Sequence, residues 1–170
     1  PTGYKTEVHE LEAGIEDYGI IYEDNNVKVN AFTVNHGRLQ SLAYKFITED
    51  KTIVVSGDTS PVEIMKEKAK DADILLHECE YTKGLETRSE QWQIYHRNVH
   101  TLSVDLARIA ICAKPKLLVT YHRIYHMNVF DRSFDLKQEM KIRKQAILEE
   151  IKDAGYTGLV VNGEDLDIFE

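Results

Sequence analysis

Cysteine and long apolar runs are what this sequence most lacks, and both shortages narrow its class. Its 170 residues include two cysteines. Cys79 and Cys112 form no CxxC pair, so they fit two buried thiols in a reducing compartment better than a disulfide framework. No apolar run in the sequence is long enough to span a bilayer. We therefore expect a cytoplasmic protein with no membrane partner.

Positive charge is also in the minority. Lys and Arg total 21 against 29 Asp and Glu, which gives a net charge of −8. This balance argues against binding nucleic acid through an overall electrostatic field, although a local basic patch or bound metal ions would leave nucleic acid open as a partner. The hydrophobic fraction of 42% is ordinary for a soluble globular protein, and the length suits one domain over residues 1–170.

The stretch IVVSGDTSPVEIMKEKAKDADILLHE reads as a strand, an acidic turn, a helix and a second strand. The β-branched run IVV is typical of a strand covered on both faces. The turn after it presents Asp58, and Thr59 or Ser60 is expected to cap the helix. The second buried run, ILL, is expected to end at His77 and Glu78. Ligands of open α/β sheets gather at such carboxyl ends of strands, so this edge is the candidate working edge.

The remaining segments alternate between strand and helix patterns. Strands are expected at residues 6–12, 20–26, 27–36 and 41–48, at LLVTY, and in a closing hairpin over 158–169. Helices are expected after a cap at Thr101 or Ser103 and over 134–154, whereas residues 81–98 read as a long irregular loop. This alternation predicts the α/β class.

Three expected strand ends carry a side chain that can bind a metal ion: His36, Asp58 and His122. Imidazole nitrogen and carboxylate oxygen suit zinc, manganese or iron at an open hydrolytic site. Each residue also has a structural interpretation, because a single His after a strand is often a surface or core residue and an Asp after Gly often caps backbone. His126 competes with His122, and we prefer His122 because it directly follows the strand.

Two further histidines receive other interpretations. His77 closes a buried strand and is interpreted as structural, although it neighbours Glu78. His96 lies four residues before His100, but the next helix is expected to start later, so His96 is interpreted as a loop residue that could lie near the substrate.

The order of the motifs VNHG, SGDT, LLHE, VHT and LLVTYH is more specific than any one of them. It resembles the C-terminal half of the metallo-β-lactamase superfamily, in particular the ribonuclease Z and arylsulfatase-like branch of metal-dependent hydrolases, over roughly residues 6–126. The resemblance implies a metallo-β-lactamase-like αββα sandwich, of which this chain supplies mainly the C-terminal half. It also implies two divalent metal ions at one sheet edge, with zinc preferred and manganese or iron as alternatives.

The resemblance assigns a role to each matching residue. His36 would bind the first metal ion, Asp58 would bridge both ions, and His122 would bind the second. His100 in VHT would assist proton transfer to the leaving group. Glu78 in LLHE would orient His100 and raise its pKa. The expected catalytic residues are therefore His100, Glu78 and Asp58.

The signature His-x-His-x-Asp-His, which supplies the other ligands in that superfamily, is absent from this sequence. Either the chain is the C-terminal portion of a longer enzyme, or it is a degenerate protein that no longer holds two ions. The start at Pro1 rather than methionine favours the first explanation. The N-terminal half of the same fold is then the expected partner, and a homodimer stays open.

The expected function is that of a metal-dependent hydrolase, which cleaves a phosphodiester or related ester with a water activated by the two ions. A non-catalytic interaction or regulatory module is the main alternative. A receiver domain phosphorylated on Asp58 is disfavoured, because Lys114 and Pro115 precede the third buried strand instead of following it. The short segment between His36 and Asp58 reads as a plain hairpin, where some ribonuclease Z proteins carry a transfer-RNA-binding arm. A small-molecule substrate is therefore preferred.

Overall fold

The computed structural model describes residue 3 and residues 6–127 and 135–169. Within these ranges the chain forms seven strands and five helices. The strands are β1 Asp17–Glu23, β2 Lys28–His36, β3 Leu39–Ile47, β4 Thr52–Val55, β5 Ile74–Glu80, β6 Leu117–Ile124 and β7 Leu159–Asn162. The helices are α1 Glu63–Lys68, α2 Thr82–Glu86, α3 Glu90–Arg97, α4 Ser103–Ala113 and α5 Leu136–Asp153.

The seven strands form one sheet whose spatial order follows the chain order, β1 to β7. Strands β1 to β4 pair antiparallel, and β4 to β7 pair parallel. Because β3 is antiparallel to both of its neighbours, β2 runs in the same direction as β4, β5 and β6. The carboxyl ends of these four strands therefore lie at the same edge of the sheet.

One face of this sheet is covered by helices. Parallel strands are joined by right-handed crossovers, so a sheet that grows in one direction places α1, α4 and α5 on the same side. Val54, Leu75 and Leu118 are neighbours in the register of β4 to β6, and all three are fully buried in the core. Leu106 of α4 and Ile147 of α5 belong to the same core. Burial of this apolar face supplies the main stabilisation of the fold.

The opposite face of the sheet carries a second apolar surface. The strand register aligns two rows of side chains across it, and the side chains alternate with the buried core residues. The rows are Tyr44, Val55, Leu76, Val119, Val161 and Phe46, Ile53, Ile74, Leu117, Leu159. Most of these residues are half-buried, and Leu159 is 71% exposed. This surface has the composition of a sheet face that packs against another layer.

Several expectations about secondary structure were wrong. Residues 6–12 form no strand, and Val8, which was expected to be available to a core, is 77% exposed. Residues 81–98 contain α2 and α3 instead of a loop. The closing hairpin is a single parallel strand, β7, and the acidic stretch after it folds into a turn in which Glu164 N donates to Asp167 Oδ2. The expected helix start at residue 134 lies outside the described residues.

The expected helix caps and the interpretation of one cysteine were also wrong. The N-caps of α1 and α4 are Val62 and Leu102, and neither helix has a side-chain cap. The hydroxyls of the expected caps make other contacts; for example, Thr101 Oγ1 donates to Thr59 O at 2.6 Å. Cys112 is exposed, whereas Cys79 is buried. None of the helices in the described ranges is long and apolar enough to cross a membrane.

A buried carboxylate on α5 joins three elements. Glu150 Oε1 accepts a hydrogen bond from Lys83 N at 3.0 Å, and Glu150 Oε2 accepts one from Thr82 N at 3.0 Å. Ser103 Oγ donates to the same carboxylate. The first-turn N–H groups of a helix lack partners inside the helix, so Glu150 caps α2 from a distance and also binds the start of α4.

We predict that Glu150→Ala lowers the free energy of unfolding by about 2–4 kcal/mol, because it leaves two backbone N–H groups and one hydroxyl without their acceptor. Urea denaturation monitored by circular dichroism measures this change. Glu149→Ala is the matched control, since Glu149 is exposed, and its effect should stay within about 0.5 kcal/mol. Equal effects of the two substitutions would contradict the assigned role of Glu150.

Candidate active site

Four of the residues singled out in the sequence meet at the shared edge of β2, β4 and β6. His36 ends β2, Asp58 follows β4, His122 lies in β6, and His100 precedes α4. The ring centroids of His36 and His100 are 5.1 Å apart, and those of His100 and His122 are 5.9 Å apart. His122 Nε2 lies 3.4 Å from Asp58 Oδ2. The three expected metal ligands thus lie around His100.

The hydrogen bond of His36 fixes which of its nitrogens is free. His36 Nδ1 lies 2.8 Å from the carbonyl oxygen of Val99, which can only accept, so Nδ1 carries the proton. In the neutral ring, Nε2 then keeps its lone pair. A backbone carbonyl bound to one nitrogen while the other remains free is the usual arrangement of a metal-binding histidine.

The turn that carries Asp58 depends on glycine. Gly57 has φ +60°, and a Cβ there would lie 2.5 Å from the carbonyl oxygen of Leu42. A larger residue would therefore both strain the backbone and collide with β3. Ser41 Oγ donates to Asp58 O at 2.8 Å and ties the turn to β3. The Asp58 side chain is 39% exposed and faces His122.

His122 does not end its strand as expected. Strand β6 continues to Ile124, and the register with β5 shifts between Tyr121 and Arg123, so His122 is the extra residue of a bulge. It has φ +42°, and its side chain is 47% exposed. A bulge turns a side chain away from the regular alternation of a strand, which explains how His122 reaches Asp58.

Glu78 supports His100 from inside the protein. Its side chain is 0% exposed, and its Oε1 lies 3.1 Å from His100 Nδ1. The same oxygen accepts hydrogen bonds from Thr59 N at 3.0 Å and Thr101 N at 3.2 Å. Since an ionised carboxylate can only accept, His100 Nδ1 donates, and His100 Nε2 faces the site without that proton unless the ring is charged. Glu78 lies within β5, which runs on to Glu80 instead of ending at Glu78.

Burial and charge act in opposite directions on this pair. Desolvation raises the pKa of Glu78, and its hydrogen bonds, that from His100 first, lower it; the net direction is upward. Desolvation lowers the pKa of His100, but the hydrogen bond to Glu78 and the charges of Glu78, Glu80 and Asp58 outweigh it, so the His100 pKa is raised. His100 therefore holds a proton more firmly than an ordinary histidine.

The remaining histidines occupy other positions. His77 is buried, its Nδ1 lies 2.7 Å from Glu78 O, and desolvation lowers its pKa to about 4, as suits a neutral core residue. His126 contacts Glu80 and not Asp58. His96 lies in α3, not in a loop. The sequence interpretation did not single out Glu80, although the spacing Glu-x-Glu in HECE places two carboxylates on the same face of a strand.

Known proteins share both the local sequence and the fold. No family model matches the chain. Ribonuclease Z of Ignicoccus hospitalis is 35% identical over 79 residues, which are 46% of this chain and 24% of that protein. The zinc phosphodiesterase ELAC protein 2 homolog of Caenorhabditis elegans is 37% identical over 59 residues, 35% of this chain and 7% of the relative.

Two solved structures extend the likeness to nearly the whole chain. The metallo-β-lactamase fold protein YhfI from Bacillus subtilis matches with a TM-score of 0.63 and 17% identity, over 88% of this chain and 52% of that one. The short form of human tRNase Z matches with a TM-score of 0.60 and 18% identity, over 94% of this chain and 48% of that one. The chain is similar to ribonuclease Z proteins over part of its length, and it shares the metallo-β-lactamase fold of these two structures.

The expected α/β class and the metallo-β-lactamase fold are both confirmed. The matches also show how much of the known proteins this chain spans. The chain spans about half the length of the two solved metallo-β-lactamase structures, at 52% and 48%. The matched segments span a smaller share of the curated relatives, at 24% and 7%. The helix-covered sheet described above is thus about half of such a fold.

We predict that Glu78→Gln lowers the pKa of His100 in the metal-free protein, because the amide removes both a negative charge and a strong acceptor. Titration of the imidazole resonances by NMR measures it. Since the folded pKa of His100 is raised above the ordinary value of 6.5, protonation of this ring contributes stability in full below that ordinary value, and the contribution is lost as pH rises through the folded pKa. Glu67→Gln, an exposed change on α1, should leave the His100 titration as it is. An unchanged pKa in Glu78→Gln would show that Glu78 does not set it.

Proposed function

We propose that the protein is a metal-dependent hydrolase that cleaves a phosphodiester or a related ester. The observation that carries the proposal is the convergence of His36, Asp58 and His122 around His100, with Glu78 behind it. The alternative of a non-catalytic module gives no reason for a buried carboxylate to fix the tautomer of an imidazole at this edge.

The residues at this edge fit a pair of divalent cations. His36 has a free Nε2, Asp58 offers an exposed carboxylate, and His122 lies beside it. We assign His36 to the first ion, Asp58 to a bridging position and His122 to the second ion. Zinc is preferred, with manganese or iron as alternatives. The relative named a zinc phosphodiesterase supports this choice. When bound, the ions supply Lewis acidity and an activated water.

The chain itself supplies proton transfer. Glu78 holds His100 through Nδ1, so the proton that reaches the leaving group is the one on Nε2 of the charged ring. The raised pKa of His100 increases the fraction of rings that carry this proton near neutral pH. Glu78 is a positioning residue in this scheme, since its oxygen faces Thr59, Thr101 and His100.

We also infer that the N-terminal half of the same fold packs on the apolar sheet face that carries Tyr44, Val55 and Leu76. That face has two continuous apolar rows, and a second layer over them would complete an αββα sandwich. The same half would bring the remaining metal ligands, since the motif His-x-His-x-Asp-His is absent from this sequence. A symmetric contact between two copies through this face is the competing arrangement.

We propose a small phosphodiester or ester as the substrate. Between His36 and Asp58 the chain forms only β3, β4 and short connections, which offer no protruding arm for a large RNA. The net charge of −8 also disfavours RNA. The name ribonuclease Z of one relative keeps RNA as the competing substrate class. Turnover of bis(p-nitrophenyl) phosphate without cleavage of a precursor transfer RNA supports the small substrate, and the opposite result supports RNA.

We predict that Asp58→Ala in the intact enzyme abolishes hydrolysis and most metal binding, because it removes the ligand shared by both ions. Turnover of the phosphodiester and metal content by mass spectrometry of the dialysed protein measure the two effects. Asp153→Ala at the exposed end of α5 is the matched control. Full turnover and unchanged metal content in the Asp58→Ala variant would contradict the proposal that Asp58 bridges the two ions.

We predict that His100→Ala slows hydrolysis by about 10²- to 10⁴-fold, the usual contribution of a general acid, while the metal content stays unchanged. A substrate with a better leaving group should lose less, since it needs less protonation. The exposed His9→Ala variant controls for loss of a histidine in general. Loss of metal in His100→Ala would instead make His100 a ligand.

A further inference from the structure

A second group of metal-binding side chains lies next to His100. Glu80 at the end of β5, His96 in α3 and His126 after β6 each place one ligand atom within 4.8 Å of the others. The rings of His96 and His126 have centroids 4.8 Å apart, and the His96 ring lies 5.5 Å from that of His100. None of these three residues belongs to the ligand set proposed for hydrolysis.

The carboxylate at the centre of this group is only partly satisfied. The Glu80 side chain is 0% exposed. His96 Nδ1 lies 2.8 Å from Glu80 Oε1, but without the alignment of a hydrogen bond, and His126 Nε2 contacts the same oxygen. Within the described part of the chain, Glu80 Oε2 has no hydrogen-bond partner. Burial of a carboxylate with a free oxygen is costly, and a cation between the three side chains removes that cost.

The ligand chemistry selects the kind of cation. Two imidazoles and one carboxylate suit zinc and its neighbours in the first transition series, and a three-ligand set leaves one position open. Ligand atoms about 2.1 Å from a tetrahedral zinc ion lie about 3.4 Å from one another. His96 Nδ1 lies 2.8 Å from Glu80 Oε1, and no two of the ligand atoms are more than 4.8 Å apart, so small side-chain rotations would bring the group to this spacing. A cavity of about 820 Å³, lined in part by His96, His126 and Trp92, gives an ion access to the site.

We propose that Glu80, His96 and His126 bind one additional divalent ion of the zinc class, separate from the pair proposed for hydrolysis. The three ligands come from β5, α3 and the segment after β6, so the ion joins three separate elements beside His100. A network of hydrogen bonds without any ion is the competing explanation.

The position of Trp92 provides a direct measurement. Trp92 is the single tryptophan of the sequence, and its ring centroid lies 4.8 Å from that of His96. Co²⁺, which replaces zinc and quenches nearby fluorescence, should quench Trp92 when it binds His96. In the Asp58→Ala background, we expect Co²⁺ to saturate this quenching at one ion per chain. Adding Glu80→Gln, which keeps the shape of the side chain, should weaken the binding by at least about 100-fold.

Matched variants separate this site from the proposed hydrolytic centre. Trp92→Phe identifies the part of the signal that comes from Trp92, and Glu86→Gln controls for an exposed carboxylate nearby. Glu80→Gln in the otherwise unchanged protein should lose one ion and keep those that depend on Asp58. His126→Gln is the second variant, with circular dichroism as the test of folding.

An Asp58→Ala protein that binds no Co²⁺ near Trp92, or a Glu80→Gln protein that binds it equally well, overturns the proposal. Neither result depends on turnover, so failure of the hydrolase proposal is distinguishable.

Discussion

A single buried oxygen, Glu78 Oε1, fixes the geometry of the candidate active site. It accepts from Thr59 N, Thr101 N and His100 Nδ1, at 3.0 to 3.2 Å. Thr59 directly follows Asp58, and Thr101 directly follows His100. The turn that presents the proposed bridging ligand and the turn that presents the proposed acid are thus held by the same atom. Because desolvation disfavours the ionised carboxylate, these donors are also what makes its burial tolerable.

The strand order explains why this oxygen lies at the edge where the parallel strands end. It also explains why, in the described part of the chain, one face of the same sheet carries no helices. A sheet that grows in one direction through right-handed crossovers collects its helices on one face. The strands that run in one direction then end together, so His36 and Asp58 reach the same edge although β3 lies between their strands. The second apolar face is a consequence of the same order, and it matches a chain that spans about half of its structural neighbours.

Local sequence patterns were sufficient to predict the strands that form the site edge. They did not predict the backbone features that orient the side chains of the site. The runs IVV, ILL and LLVTY predicted β4, β5 and β6 because buried parallel strands are continuously apolar. The bulge at His122 has no local signature, since a positive φ at a histidine is set by the neighbouring strand. Helix α3 did have one: Ser89 Oγ accepts from Trp92 N at 3.4 Å, a normal N-cap. Residues 81–98 were interpreted as a loop because they are polar, and this N-cap was therefore not recognised.

Three segments at the site edge each carry two side chains of the same type, at a spacing set by the local backbone. Strand β5 places Glu78 and Glu80 on one face, two residues and about 6.6 Å apart. Between α3 and α4, His100 N donates to His96 O at 2.8 Å. This hydrogen bond closes a helical turn, which places the two histidines side by side. His122 and His126 are again four residues apart, both with positive φ. Glu78, His100 and His122 belong to the group around Asp58, whereas Glu80, His96 and His126 form the second group. The same three segments therefore build two adjacent groups of carboxylate and imidazole side chains.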